Sequence, residues 1–128
     1  METEKDPKEW LKKAEEDYGF ASSILPETNY YAQVCFHFQQ AAEKYLKAYI
    51  VKKNLEFRKI HDLHQLLNLC QKEEVGFASL KEAADFLSPF YIDARYPVHW
   101  PSAVSKEEAL KARNAALEIK QFVDSKIK

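Results

Sequence analysis

The stretch Tyr30-Tyr31-Ala32-Gln33-Val34-Cys35-Phe36-His37-Phe38-Gln39-Gln40-Ala41-Ala42-Glu43-Lys44-Tyr45-Leu46-Lys47-Ala48-Tyr49-Ile50 decides the fold. It contains no Gly and no Pro. Its apolar members Tyr31, Val34, Cys35, Phe38, Ala41, Ala42, Tyr45, Leu46, Tyr49 and Ile50 predict a helix from Tyr30 to about Lys53. They are too many for one narrow face. A helix apolar over most of its circumference is central and packs on at least two sides. One polar stripe survives: Gln33, His37, Gln40, Lys44 and Lys47 alternate steps of four and three, with Gln39 and Glu43 beside them. Such a stripe either faces solvent or lines a cleft or subunit interface.

Helical signals continue on both sides. Asp6-Pro7-Lys8-Glu9 supplies a cap acceptor, a proline at the first helical position and an acid in the first turn. Trp10, Leu11, Ala14, Tyr18, Ala21 and Leu25 then mark a buried face. Gly19 interrupts that helix, which suggests the close approach of another helix. Pro26-Glu27-Thr28 ends it, and Thr28 or Asn29 is expected to cap the next. Asn54 suits a left-handed helix end. A shorter helix starts at about Leu63 with Asp62 as cap, and Gly76 breaks it. Ser79 with Glu82 has capping-box spacing for a fourth helix, which Pro89 kinks or stops. Arg95-Tyr96-Pro97-Val98-His99-Trp100-Pro101 reads as an ordered loop. Ser105 and Glu108 form a second capping box, opening a last helix with Ala109, Ala112, Ala116, Ile119 and Val123 inward. The expected fold class is all-α: one domain over residues 1–128, an antiparallel up-and-down helical bundle of four longer helices plus one short helix.

The composition agrees and narrows the function. The 128 residues fit one domain, and 46% hydrophobic with 30% charged residues is an ordinary balance for a globular protein. Lys and Arg number 19 against 20 Asp and Glu, so gross charge does not drive nucleic-acid binding. Two glycines leave no Gly-rich phosphate loop. No apolar run approaches a membrane span, and the N-terminus is charged where a signal peptide would be apolar. Cys35 and Cys70 read as buried thiols of a cytoplasmic protein.

The chemistry-bearing residues are few. Gln33, His37, Gln40, Lys44 and Lys47 offer ammonium charge and amide groups to a phosphate and a base edge. Arg95 offers a planar fork for phosphate. His99 can transfer a proton near neutral pH, and an Arg with a His suffices for metal-independent RNA cleavage. In a Pro-rich loop, a lone Arg and His more often hold the backbone through hydrogen bonds. His61 and His64 share a helical face, but they read as a helix-entry and a helix-surface histidine rather than metal ligands. Glu15, Glu16 and Asp17 splay around the first helix and read as solvated surface. Nothing here calls for a metal or another cofactor.

The stretch from Tyr30 to Ala48, with Gln-Gln-Ala-Ala-Glu-Lys at its centre, closely resembles the second-helix signature of HEPN domains (higher eukaryotes and prokaryotes nucleotide-binding domains). His61-Asp62-Leu63 followed by Leu66, and later Arg95-Tyr96-Pro97, fall in that family's order. The resemblance implies a helical bundle, usually a homodimer, found beside a small nucleotidyltransferase. It implies nucleotide binding and, in many branches, metal-independent RNase activity in toxin–antitoxin systems. Gln40, Glu43 and Lys44 match the helix signature, and Arg95 matches the Arg-Tyr-Pro element. RNase branches place a His after an Arg at a longer spacing than the three residues between Arg95 and His99. The expected function is therefore a nucleotide-binding or accessory partner of a small nucleotidyltransferase. The alternatives are an endoribonuclease toxin using Arg95 and His99, or a purely structural interaction module.

Overall fold

The computed structural model describes residues 6–55, 60–91 and 104–127. It holds five α-helices: α1 Pro7–Ile24, α2 Tyr31–Lys52, α3 Leu63–Glu73, α4 Lys81–Leu87 and α5 Lys106–Ile127. No strand occurs among the described residues. Three short 3₁₀ turns, Leu25–Glu27, Val75–Leu80 and Ser88–Phe90, complete the path.

α2 is the central helix. It packs on α1 and α5 most extensively and also touches α3 and α4. Val34, Cys35, Phe38, Ala41, Ala42, Tyr45, Leu46, Tyr49 and Ile50 are all buried, as a helix apolar on most sides requires. Opposite them stand Ala14 and Ala21 of α1, Leu66 and Leu67 of α3, and Ala109, Ala112, Ala116, Ile119 and Val123 of α5. The alanines let the outer helices come close to α2.

Several helix ends follow local chemistry. The Asp6 carboxylate accepts from the Lys8 amide at 2.9 Å, with Pro7 first in the helix. Asp62 accepts from the His64 amide at 2.8 Å and caps α3. Ser105 and Glu108 complete the capping box: the Glu108 amide donates to Ser105 Oγ at 3.1 Å, and the Ser105 amide donates to Glu108 Oε1 at 2.9 Å. Asn54 takes φ 57° just past α2, the left-handed conformation that stops a helix. α4 ends at Leu87, two residues before Pro89.

Three expectations need correction. Ser79 does not cap α4. Residues 75–80 are already 3₁₀ turns, so the chain enters α4 without the extended residue a cap needs, and Ser79 Oγ donates to the Gly76 carbonyl at 3.0 Å. Neither Thr28 nor Asn29 is the cap of α2. Tyr30 holds that position with no side-chain cap, and Thr28 Oγ1 accepts from the Tyr30 amide at 3.0 Å. Gly19 faces solvent, and a Cβ there would meet nothing within 4 Å, so no helix approaches it.

Candidate functional site: a buried charged cluster on the central helix

Glu43 and Lys47 lie one turn apart on α2, which brings their side chains together. Both are 3% exposed, and Lys47 Nζ donates to Glu43 Oε2 at 2.8 Å. The same carboxylate oxygen lies 2.8 Å from His61 Nδ1. His61 immediately precedes the α3 cap Asp62, so the start of α3 fixes its backbone. Tyr91, at the end of the last 3₁₀ turn, stacks on the His61 ring with centroids 5.6 Å apart and planes 8° from parallel. On the other side the Lys47 ammonium stands over the Trp10 ring of α1, 5.3 Å from its centroid. Four segments distant in sequence therefore meet around one buried carboxylate.

Gln39 lies one turn before Glu43 on α2 and is fully buried. Its Oε1 accepts from Gln40 Nε2 at 3.0 Å. Gln39 Nε2 and Glu43 Oε1 are buried and find no hydrogen-bond partner among the described residues.

A second cluster joins α1 to the middle of the stripe. Asp17 Oδ2 accepts from Lys44 Nζ at 2.6 Å, and Asp17 Oδ1 lies 3.2 Å from His37 Nδ1. Burial by itself would raise the Asp17 carboxyl. The His37 and Lys44 hydrogen bonds and charges outweigh it and hold the group below its ordinary range. Tyr45 OH donates to Glu15, which also meets Lys120 Nζ of α5 at 3.0 Å, tying three helices together. Burial, then the Glu15 bond, pushes the Tyr45 phenol strongly upward.

The stripe is thus not a uniformly solvated face. It runs from exposed Gln33, through half-covered His37, Gln40 and Lys44, to buried Lys47. Both of its lysines are already paired with carboxylates. Arg95 and His99 lie outside the described residues. The reading of Asp17 as solvated surface is corrected, since its carboxylate is largely covered and turns to Lys44 and His37 of α2, whereas Glu15 stays half exposed while accepting from Tyr45. A signal existed, because Ala14, Asp17 and Ala21 follow at steps of three and four on the buried side of α1. Trp10 and Tyr91 carried no such signal as partners of the cluster. His61 and His64 turn to different acids, His64 to Asp85 at 3.4 Å. Among the described residues no three His, Cys, Asp or Glu side chains gather as a metal site. Cys35 and Cys70 are buried and unpaired, and burial pushes each thiol up to about 12.

Fold and site together define an all-α bundle whose central helix carries a buried carboxylate–lysine pair, met by a histidine at the start of α3. The chain belongs to the HEPN domain family, whose model matches residues 7–126. It is 32% identical to the Methanocaldococcus jannaschii protein named "Putative toxin MJ1304", over 91% of this chain and 88% of that one. Its structure resembles the crystal structure of TT1696 from Thermus thermophilus, with TM-score 0.79 and 30% identity, over 94% of this chain and 97% of that one. It also resembles ST0689, an archaeal HEPN homologue, with TM-score 0.77 and 28% identity, over 96% of this chain and 98% of that one. No helix of the described residues is long and apolar enough to cross a membrane.

Proposed function

We propose that this protein is the HEPN component of a toxin–antitoxin-like pair. In this reading it acts in the cytoplasm as a homodimer, together with a small nucleotidyltransferase, and binds a nucleotide or an RNA phosphate along the edge of α2. The observation that carries the reading is the Glu43 cluster. Burying a carboxylate with a lysine is costly, and apolar residues of similar volume would serve a purely structural bundle at least as well. The name of the jannaschii relative supports the toxin-like role, and two buried, unpaired thiols suit a reducing compartment.

The ion pairs divide the work among the residues. A phosphate at Lys44 or Lys47 must compete with a carboxylate already in place. Arg95 therefore supplies most of the phosphate recognition, while Gln33, His37 and Gln40 contact the rest of the ligand. Calorimetric titration of nucleotides and a short RNA into the protein tests this. Arg95→Ala is expected to weaken binding markedly and Lys44→Ala less, with both variants folded. No binding by the protein or by its complex with the transferase would overturn the reading and leave a structural module.

A second reading is a metal-independent endoribonuclease in which Arg95 stabilises the charged phosphorane and His99 transfers the proton. It draws on the Arg95-Tyr96-Pro97-Val98-His99 segment of the sequence. RNA cleavage in chelator, lost in both Arg95→Ala and His99→Ala, is its expected signature. Unchanged cleavage by His99→Ala would remove that histidine from the mechanism.

A further inference from the structure

Each of the three described histidines turns Nδ1 toward a carboxylate, and the three pairs form a graded series. His64 meets Asp85 at 3.4 Å, and that acid is 47% exposed. His37 meets Asp17 at 3.2 Å, and that acid is 16% exposed. His61 meets Glu43 at 2.8 Å, and that acid is 3% exposed. The His61 side chain itself stays open, at 48% against 43% for His64. His61 thus joins the shortest contact and the most buried carboxylate to a ring that a ligand can reach. The position of its hydrogen follows. Glu43, paired with the Lys47 ammonium, acts as an acceptor, so Nδ1 donates to it at 2.8 Å. Lys47 Nζ is the more distant neighbour of Nδ1, at 3.5 Å. In a neutral imidazole with hydrogen on Nδ1, Nε2 is the acceptor. Tyr91 stacks on the ring with planes 8° from parallel and restrains its rotation.

A buried carboxylate on Nδ1 and a reachable ring are the setting in which a histidine accepts protons. The acid fixes the tautomer and balances the imidazolium that forms. The RNA-cleaving reading above needs such a group. Cleavage without a metal takes a proton from the attacking hydroxyl and gives one to the leaving oxygen, and one histidine cannot be acid and base at the same moment. We infer that His61 is the proton acceptor of that reaction. The substrate rests on the RNA-cleaving reading; the oriented imidazole does not. His61 Nε2 takes the proton of the 2′-hydroxyl as O2′ bonds to the adjacent phosphorus. The P–O5′ bond breaks, and the 5′-oxygen leaves with a proton from His99. The products are a 2′,3′-cyclic phosphate and a 5′-hydroxyl. Glu43 and Lys47 are too buried to touch the RNA. Glu43 acts through His61 as a positioning residue, and Lys47 answers its charge.

The test is cleavage of a single-stranded RNA in chelator by the full chain. His61→Ala is expected to lower the rate about 10²–10⁴-fold, the usual contribution of a positioned acid or base. Added imidazole should restore part of that loss in proportion to its concentration, a response that a merely structural role would not give. His61→Gln keeps a donor for Glu43 but no proton acceptor, and should be equally slow. His64→Gln should cleave like wild type. Full activity in either His61 variant would overturn the inference, and so would a slow His61→Ala that imidazole leaves unrescued. No cleavage by a folded wild type would remove the RNA-cleaving reading, and acylation by diethyl pyrocarbonate then decides for the imidazole alone. His61 modified faster than the similarly open His64, and slowed in Glu43→Gln, would sustain an oriented proton acceptor for another hydroxyl substrate. Equal rates at the two histidines would overturn it.

Discussion

Lys47 Nζ lies 2.8 Å from Glu43 Oε2, one helical turn away on α2, and both side chains are 3% exposed. The pair faces α1 through Trp10 and the start of α3 through His61. Its burial makes it the first place to probe.

Replacing Glu43 with Ala removes the carboxylate that compensates a buried lysine. Breaking a buried pair in this way typically costs about 3–5 kcal/mol. Urea denaturation should show that loss, and Glu43→Gln, which keeps an acceptor at the same place, should cost less. The double variant Glu43→Leu with Lys47→Met is expected to recover much of the stability, because an apolar pair needs no compensation. A double variant as unstable as Glu43→Ala alone would show that His61 or the surrounding packing, not the ion pair, sets the cost.

Asp17 links folding to acid. Its carboxyl is held below the ordinary value of 3.8, burial being outweighed by His37 and Lys44. A carboxyl depressed in the folded state contributes stability above its unfolded pKa and loses it as pH falls through the folded one. The stability gap between wild type and Asp17→Asn should therefore be full at about pH 6 and shrink below about pH 4. Chemical denaturation across that range checks it, and a gap unchanged down to the acid limit would contradict the pairing.

The two glycines should respond differently to alanine. At Gly19, exposed within α1, the new methyl meets nothing within 4 Å. Gly19→Ala should stabilise by about 0.5–1 kcal/mol, the difference in helix propensity. At Gly76 the methyl would stand 3.1 Å from Cζ of Phe122, whose ring packs edge to face on Phe77 at 4.7 Å. Gly76→Ala should gain little or lose stability unless that ring moves. Thermal and urea midpoints of both variants decide the matter.

Much of the fold was legible because helices announce themselves locally. Asp6 with Pro7, Asp62, Asn54, and Ser105 with Glu108 act within a few residues of their own positions, so their roles in the structure match their chemistry in the chain. The central place of α2 was legible too, because an all-round apolar helix has only one stable setting. Ser79 and Thr28 escaped the same logic. Their cap chemistry was present, but neighbouring 3₁₀ turns decided which amides needed a partner.

The polar residues divide along the same line. Periodicity by itself determined that Gln33, His37, Gln40, Lys44 and Lys47 share one side of α2, since a helix fixes directions along itself. Only the tertiary structure decided their partners: Asp17 for His37 and Lys44, Glu43 and Trp10 for Lys47, and Tyr91 for the His61 that shares Glu43. Those partners lie on other segments, and their distances depend on how helices cross, which no local pattern encodes. The one pair within a single turn, Glu43 with Lys47, was adjacent in sequence terms. Even there, what turns it from a surface pair into a buried one is the packing of α1 and the start of α3 against it.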